Sequence, residues 1–194
     1  DALRVAVSVN EAYLDAARDA DLGILPRLEY GGSTRLPKEA YAKKPDGGNA
    51  PVGRYASWGP NLLHPATWEE FAALLDETVG GYYRDYPQLM GVLWRMRSER
   101  VCMSKGPNDI ARYKQETGAL DLAGYEDWWH GKRRDFHMMI RDKLRSYRPD
   151  MKLYYYNWDP DGWSLGGYNN TAQDWSDFYN VHKARAYHER VLQA

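Results

Sequence analysis

Apolar runs of strand length alternate with stretches of helical spacing along the chain, and the polar residues at their boundaries suggest where each element ends. Residues 2–10, ALRVAVSVN, are rich in β-branched side chains and lead into Asn10 and Glu11, as a strand does. The following NEAYLDAARDAD has helical spacing with Tyr13, Ala17 and Ala20 on one side, and Gly23 stops it. A second strand is predicted in ILPRLEY (24–30), where Arg27 and Glu29 share a face. Residues 31–66 show little periodicity and are rich in Gly, Pro, Lys and Asn. A loop of that length is usually functional or partly disordered, and one that follows a strand falls on the rim of a site. Thr67 with Glu70 reads as a capping box. Trp68, Phe71, Ala72, Leu75 and Val79 then make a core-facing helical stripe, which Gly80, Gly81 and Pro87 end.

The most informative stretch is LMGVLWRMRSE (89–99), where an apolar run turns to charge while keeping a period of two. Leu89, Met90, Val92, Leu93 and Trp94 predict a strand buried on both faces, as in a parallel sheet covered by helices. Arg95, Arg97 and Glu99 then fall on one face. An unpaired buried charge is costly, so these residues belong where water or a ligand reaches them. In parallel α/β proteins that place is the carboxyl end of the strands.

Beyond Glu99 a connector runs through SKGPND, and IARYKQETG predicts a short helix stopped by Gly118. A long helix from about Tyr125 to Tyr147 turns Trp129, Phe136, Ile140 and Leu144 inward and a belt of Lys and Arg outward. A further strand, Lys152 to Asp159, puts Tyr155, Asn157 and Asp159 on one face and Tyr154, Tyr156 and Trp158 on the other. A Gly-rich loop then leads to an amphipathic helix begun by Thr171.

Four strand-then-helix units within a single domain, 1–194, predict an α/β protein with parallel strands side by side and helices outside. No GxGxxG or GxxxxGK[ST] follows any strand, which weakens the alternative of an open doubly wound sheet that binds nucleotides. Charged strand ends favour a (β/α) barrel. Eight units make a closed barrel, so the expectation is about half of a TIM barrel, completed by further sequence or by another chain.

Composition narrows the chemistry. A formal charge of -1 argues against nucleic acid as the main partner. No apolar run approaches the ~20 residues of a membrane span. The 16 Tyr and 8 Trp against 3 Phe give most aromatic surface a hydroxyl or an indole N–H, suited to stacking on a polar ring and bonding at its edge. The one cysteine, Cys102, leaves no intrachain disulfide and no cysteine-based zinc site. Within RYASWGPNLLHP, Trp58, Asn61 and His64 are candidate pocket residues. His130 and His137 are seven apart, too far for the usual i, i+4 metal pair. No metal or other cofactor is expected.

The order HPATWEEFAALLDETVGGYYRDYPQLMGVLWRMRSE resembles the third helix and fourth strand of (β/α)8 glycoside hydrolases of the β-galactosidase and agarase type. ARYKQETG, WWHGKRRDF and RPDMKLYYYNWD resemble the segment that leads to the fifth strand, so the similarity covers most of residues 60–160. It implies a carbohydrate substrate and Glu99 as general acid/base. It departs in placing Ser98 where those enzymes usually have Asn, and their nucleophile lies on the seventh strand. The chemistry needs two carboxyl groups, about 5 Å apart for retention or ~6.5 to 9.5 Å for inversion. Arg95 and Arg97 on the face of Glu99 would lower its pKa unless Glu29 and Asp159 neutralise them or they serve a sulfated or carboxylated sugar. With Trp58, Asn61, His64, Asn157 and Trp158, these residues form the expected substrate site. Two other classes are a carbohydrate-binding barrel without catalysis and a metal-assisted hydrolase using His64, Asp159 or Asp161. The second lacks any HxH or HExxH spacing.

Overall fold

A computed structural model describes residues 11–28, 35–49, 59–95 and 103–156, with the backbone alone at 94, 95, 155 and 156. The strand expected at 2–10 and the elements expected beyond 157 lie outside the described residues. The described elements are α1 (Glu11–Asp19), β1 (Arg27–Leu28), α2 (Pro65–Leu75), β2 (Gly91–Arg95), α3 (Pro107–Thr117), α4 (Tyr125–Tyr147) and β3 (Lys152–Tyr156). A π turn over Asp76–Gly80 continues α2. The fold is mixed α/β, with a small parallel three-stranded sheet in the order β1-β2-β3.

The sheet is held in register along both edges of β2. Arg27 pairs with Leu93 and Leu28 with Trp94 on one side, while Gly91 through Arg95 pair with Lys152 through Tyr156 on the other. Alternation then divides the residues between two faces. Leu28 and Val92 are buried and Leu153 packs against the same core, whereas Arg27, Lys152 and Tyr154 on the opposite face are exposed. Among the described residues only one face is covered, so the expected burial on both faces is not met there: Leu93 on the second face is half-buried, and Met90, just before β2, is 41% exposed.

Helices α2 and α4 supply the cover and run alongside each other. Phe136 of α4 meets Trp68 and Phe71 edge-on, with ring centroids 5.6 and 5.4 Å away. At the far end of α2, Asp76 accepts from the Tyr147 hydroxyl at 2.6 Å and pairs with Lys143 at 2.8 Å. The inward stripe predicted for α4 holds, because Trp129, Phe136, Ile140 and Leu144 are all buried. The outward basic belt does not hold throughout. Arg133 is buried, its guanidinium 5.6 Å from the centre of the Trp129 ring, and His130 and His137 are buried beside it.

Three local predictions are corrected. The capping box at Thr67 is not formed: His64 caps α2, its Nδ1 accepting from the Ala66 N–H at 3.2 Å, and Pro65 takes the first helical position. Proline suits that position because the amide it lacks would have had no partner. Thr67 lies a turn inside, fully buried. In α1 the buried side chain is Leu14, and Tyr13 is 75% exposed. The second strand starts at Arg27 and not at Ile24, which is joined to Leu89 by an isolated bridge. The short helix does stop at Gly118, whose φ of 71° gives the left-handed cap that glycine adopts without strain.

Gly91 marks the tightest approach in the sheet. Its φ is +137°, and an added Cβ would lie 1.8 Å from the Lys152 carbonyl oxygen. Gly91→Ala should therefore cost on the order of 3 kcal/mol or abolish folding, whereas Gly118→Ala, in open space, should cost only about 1 kcal/mol. Urea unfolding of both variants tests this, and equal losses would refute the close approach.

Candidate functional site

The two ends of the sheet are built differently. At the amino end, Arg148 follows α4 and donates to the carbonyls of Pro87 and Leu89, while its Nε bonds Asp150 at 2.6 Å. The opposite, carboxyl end is where the connections leave β1 toward α2 and β2 toward α3. Those connections carry the polar groups expected to form a site.

A buried network ties them together. Asp109, in the first turn of α3, accepts from the Asn61 amide at 3.0 Å and from the Ser104 hydroxyl at 2.5 Å. Ser104 Oγ accepts in turn from the Lys43 N–H at 2.9 Å, and the Ser104 carbonyl accepts from the Tyr125 hydroxyl at 2.5 Å. The Asn61 side-chain oxygen accepts from the Leu63 N–H at 3.0 Å. Asp109 stands in the first turn of α3, which is capped at Gly106 without a side-chain bond. Burial, and then the nearby Asp109, push the Tyr125 phenol well above its ordinary value, keeping it a donor. Ser104 is fully buried and its proton is committed to Asp109, so the pair is a brace and not a nucleophile with its base.

Asn61, a candidate pocket residue, is 4% exposed, and both ends of its amide are in use within this network. His64 is half-buried, with one ring nitrogen occupied as the helix cap. A backbone bond of 3.0 Å from the His64 N–H to the Asn61 carbonyl joins these two candidates. Arg95 is the last residue of β2, paired with Tyr156. Glu29, Trp58, Arg97, Glu99, Asn157, Trp158 and Asp159 lie outside the described residues. Sequence reasoning missed Lys43, Ser104, Asp109 and Tyr125. The only local signal was a Ser and an Asp flanking the Gly-Pro of SKGPND.

Two of the depressions are lined by described residues other than Asn61 and His64. One of about 590 Å³ lies at the amino end, against Met90, Arg148, Lys152 and Tyr154. The other, about 330 Å³, lies on the helical side between Leu62, Trp68, Arg112 and Lys132. Beside it, Glu116 of α3 accepts from Lys132 of α4 at 2.6 Å, from Arg112 at 2.7 Å and from the Trp128 indole at 3.0 Å. Among the described residues no group of three or more His, Cys, Asp or Glu side chains comes together as a metal site. No helix there is long and apolar enough to cross a membrane. Comparison with family models, curated proteins and solved structures gives no match.

Two predictions follow from this geometry. Asp109→Ala would leave buried donors on Asn61 and Ser104 without their acceptor, and should cost on the order of 3 kcal/mol in urea unfolding. A loss below about 1 kcal/mol would mean that the network does not hold the connections. The bond to Lys132 first, and then that to Arg112, lower the Glu116 pKa from 4.5 to about 2. A depressed carboxylate pKa stabilises the fold above the unfolded value, and that contribution is lost as pH falls toward the folded one. Glu116→Gln should therefore melt lower at pH 7, by a modest amount because the group is partly exposed, and the difference should close between pH 4.5 and about 2. A gap unchanged across that interval would exclude the charge as its cause.

Proposed function

We propose that the chain is about half of a (β/α) barrel and forms part of a glycoside hydrolase acting on an oligosaccharide or polysaccharide. The supporting observation is the one-sided sheet: strands in sequential parallel order, helices on one face, and the other face open among the described residues. An open doubly wound sheet would need helices on both faces, whereas an arc of a barrel has its helices outside and a lumen face that side chains of the remaining strands fill. The remaining strands come from further sequence or from another chain.

In this reading Glu99, four positions beyond the last residue of β2, protonates the departing glycosidic oxygen. The second carboxylate is supplied with the remaining strands. Arg95 and Arg97 precede Glu99 at a period of two and bind substrate groups that carry negative charge. Trp58 and Trp158 offer stacking surfaces, and Glu29, Asn157 and Asp159 offer polar contacts. No cofactor is involved.

The test is Glu99→Gln in the protein that carries the complete barrel, assayed by release of reducing ends. Turnover should fall by about 10²- to 10⁴-fold while substrate binding is retained, the signature of a lost general acid. Unchanged turnover would remove Glu99 from the chemistry, and absence of turnover in the unsubstituted protein would leave carbohydrate binding as the surviving function.

A further inference from the structure

The loop between β1 and α2 carries PKEAYAKKPDGGN (37–49), and the β2–α3 connection brings Lys105 against it. The Lys105 N–H donates to the Lys43 carbonyl at 2.8 Å, and an added Cβ on Gly106 would lie 2.9 Å from the Lys43 Cβ. The two connections are thus in direct backbone contact, locked from beneath by Ser104 and Asp109. Among the described residues these connections carry four lysines, Lys38, Lys43, Lys44 and Lys105, against two surface carboxylates, Glu39 and Asp46, with Asp109 buried beneath and committed to Asn61 and Ser104.

The charges are compensated unevenly. Asp46 lies 3.6 Å from Lys44 and accepts from the Gly48 N–H, which together with Lys44 lowers its pKa. Lys43 is fixed differently: its ammonium donates to the Lys38 carbonyl at 3.1 Å and to the Asn49 side-chain oxygen at 2.6 Å, both neutral acceptors. Among the described residues no carboxylate lies within ion-pair distance of Lys38, Lys43 or Lys105. Lys43 is thus held in place by neutral acceptors, and the exposed Lys38 and Lys105 stand on the same connections, which leave the carboxyl end of the strands.

We infer that Lys38, Lys43 and Lys105 form a rim subsite for the sulfate or carboxylate groups of an acidic polysaccharide. This rests on the reading of the carboxyl end as a carbohydrate site and names the substrate class. Lysines act as point charges toward such groups and need no bidentate geometry. A preorganised ammonium binds an anion without first being ordered. Repeating negative charge along a polymer can engage all three together.

Affinity electrophoresis of the full chain in dextran sulfate and in neutral dextran tests the inference. Lys38 and Lys105 are suitable for substitution because the structure gives their side chains no bond to donate. Retardation should occur in the sulfated polymer alone and weaken with added salt, because exposed charges are screened. Lys38→Gln with Lys105→Gln should reduce affinity roughly tenfold with an unchanged circular dichroism spectrum. Unchanged retardation of the double variant would overturn the inference. So would equal retardation in neutral dextran, or displacement of dextran sulfate by duplex DNA at equal charge, which would mean indifferent polyanion binding. The glycosidase reading fails separately: absence of turnover in the unsubstituted protein with weakened retardation in the lysine variant leaves the rim standing without the enzyme. Turnover lost in Glu99→Gln with unchanged retardation does the reverse.

Discussion

Backbone hydrogen bonds on both edges of β2 leave that strand no freedom to slide, and the other described elements take their positions from it. A slip of one residue in a parallel pair would exchange its two faces, carrying Val92 out of the core and Leu93 into it. Gly91 lets the Lys152 backbone come close enough to fix the register, and the Lys152 N–H reaches the Met90 carbonyl at 3.0 Å. Arg148 then closes the same end by binding carbonyls just ahead of β2, so the arrival of α4 and the start of β3 are set by one side chain.

With the amino end fixed in this way, variation is left to the carboxyl end, where the connections are longer and polar. They are nonetheless ordered among the described residues. Leu36, Ala40 and Ala42 are buried, and Tyr41 bridges Pro60 in antiparallel fashion. One carboxylate, Asp109, organises the β1–α2 and β2–α3 connections because it accepts from donors on both. A buried charge is tolerated only when it is satisfied in this manner, and its removal would leave donors that water cannot reach. Uncompensated positive charge can then be displayed on the same connections, since their backbones do not depend on the lysine ammonium groups of Lys38 and Lys105.

Local signals carried the parts of this fold that are local. The extent of α4 follows from spacing over six turns, and the end of α3 follows from the left-handed residue Gly118. The start of α2 was misread because Thr67 and Glu70 satisfy a capping pattern that His64 and Pro65 satisfy better. Both of the first pair are in fact buried, and helix termini are poorly determined by a pattern that several overlapping residues can meet. The choice between Tyr13 and Leu14 in α1 was open because a helix of nine residues has little more than two turns in which to establish a face. The Asp109 network could not be read at all. Its partners Asn61 and Lys43 stand 48 and 61 residues from the groups they meet, at distances that periodicity does not reach.

If Glu99 is the proposed acid, the two arginines that the sequence sets at 95 and 97 constrain what it can do. A general acid has to hold its proton near neutral pH, and two guanidinium groups at the preceding alternate positions act against this by favouring the carboxylate. If they stayed unpaired, Glu99 would be a poor acid and a better stabiliser of developing positive charge. Anionic substituents on a sugar remove the difficulty, because they take up the guanidinium charge when substrate is bound and allow the glutamate pKa to rise. Under the proposed function, negative charges drawn to Lys38, Lys43 and Lys105 at the rim would also favour the protonated form of Glu99. A neutral sugar would then be disfavoured twice, once in binding and once in proton transfer, and the second effect would appear in kcat.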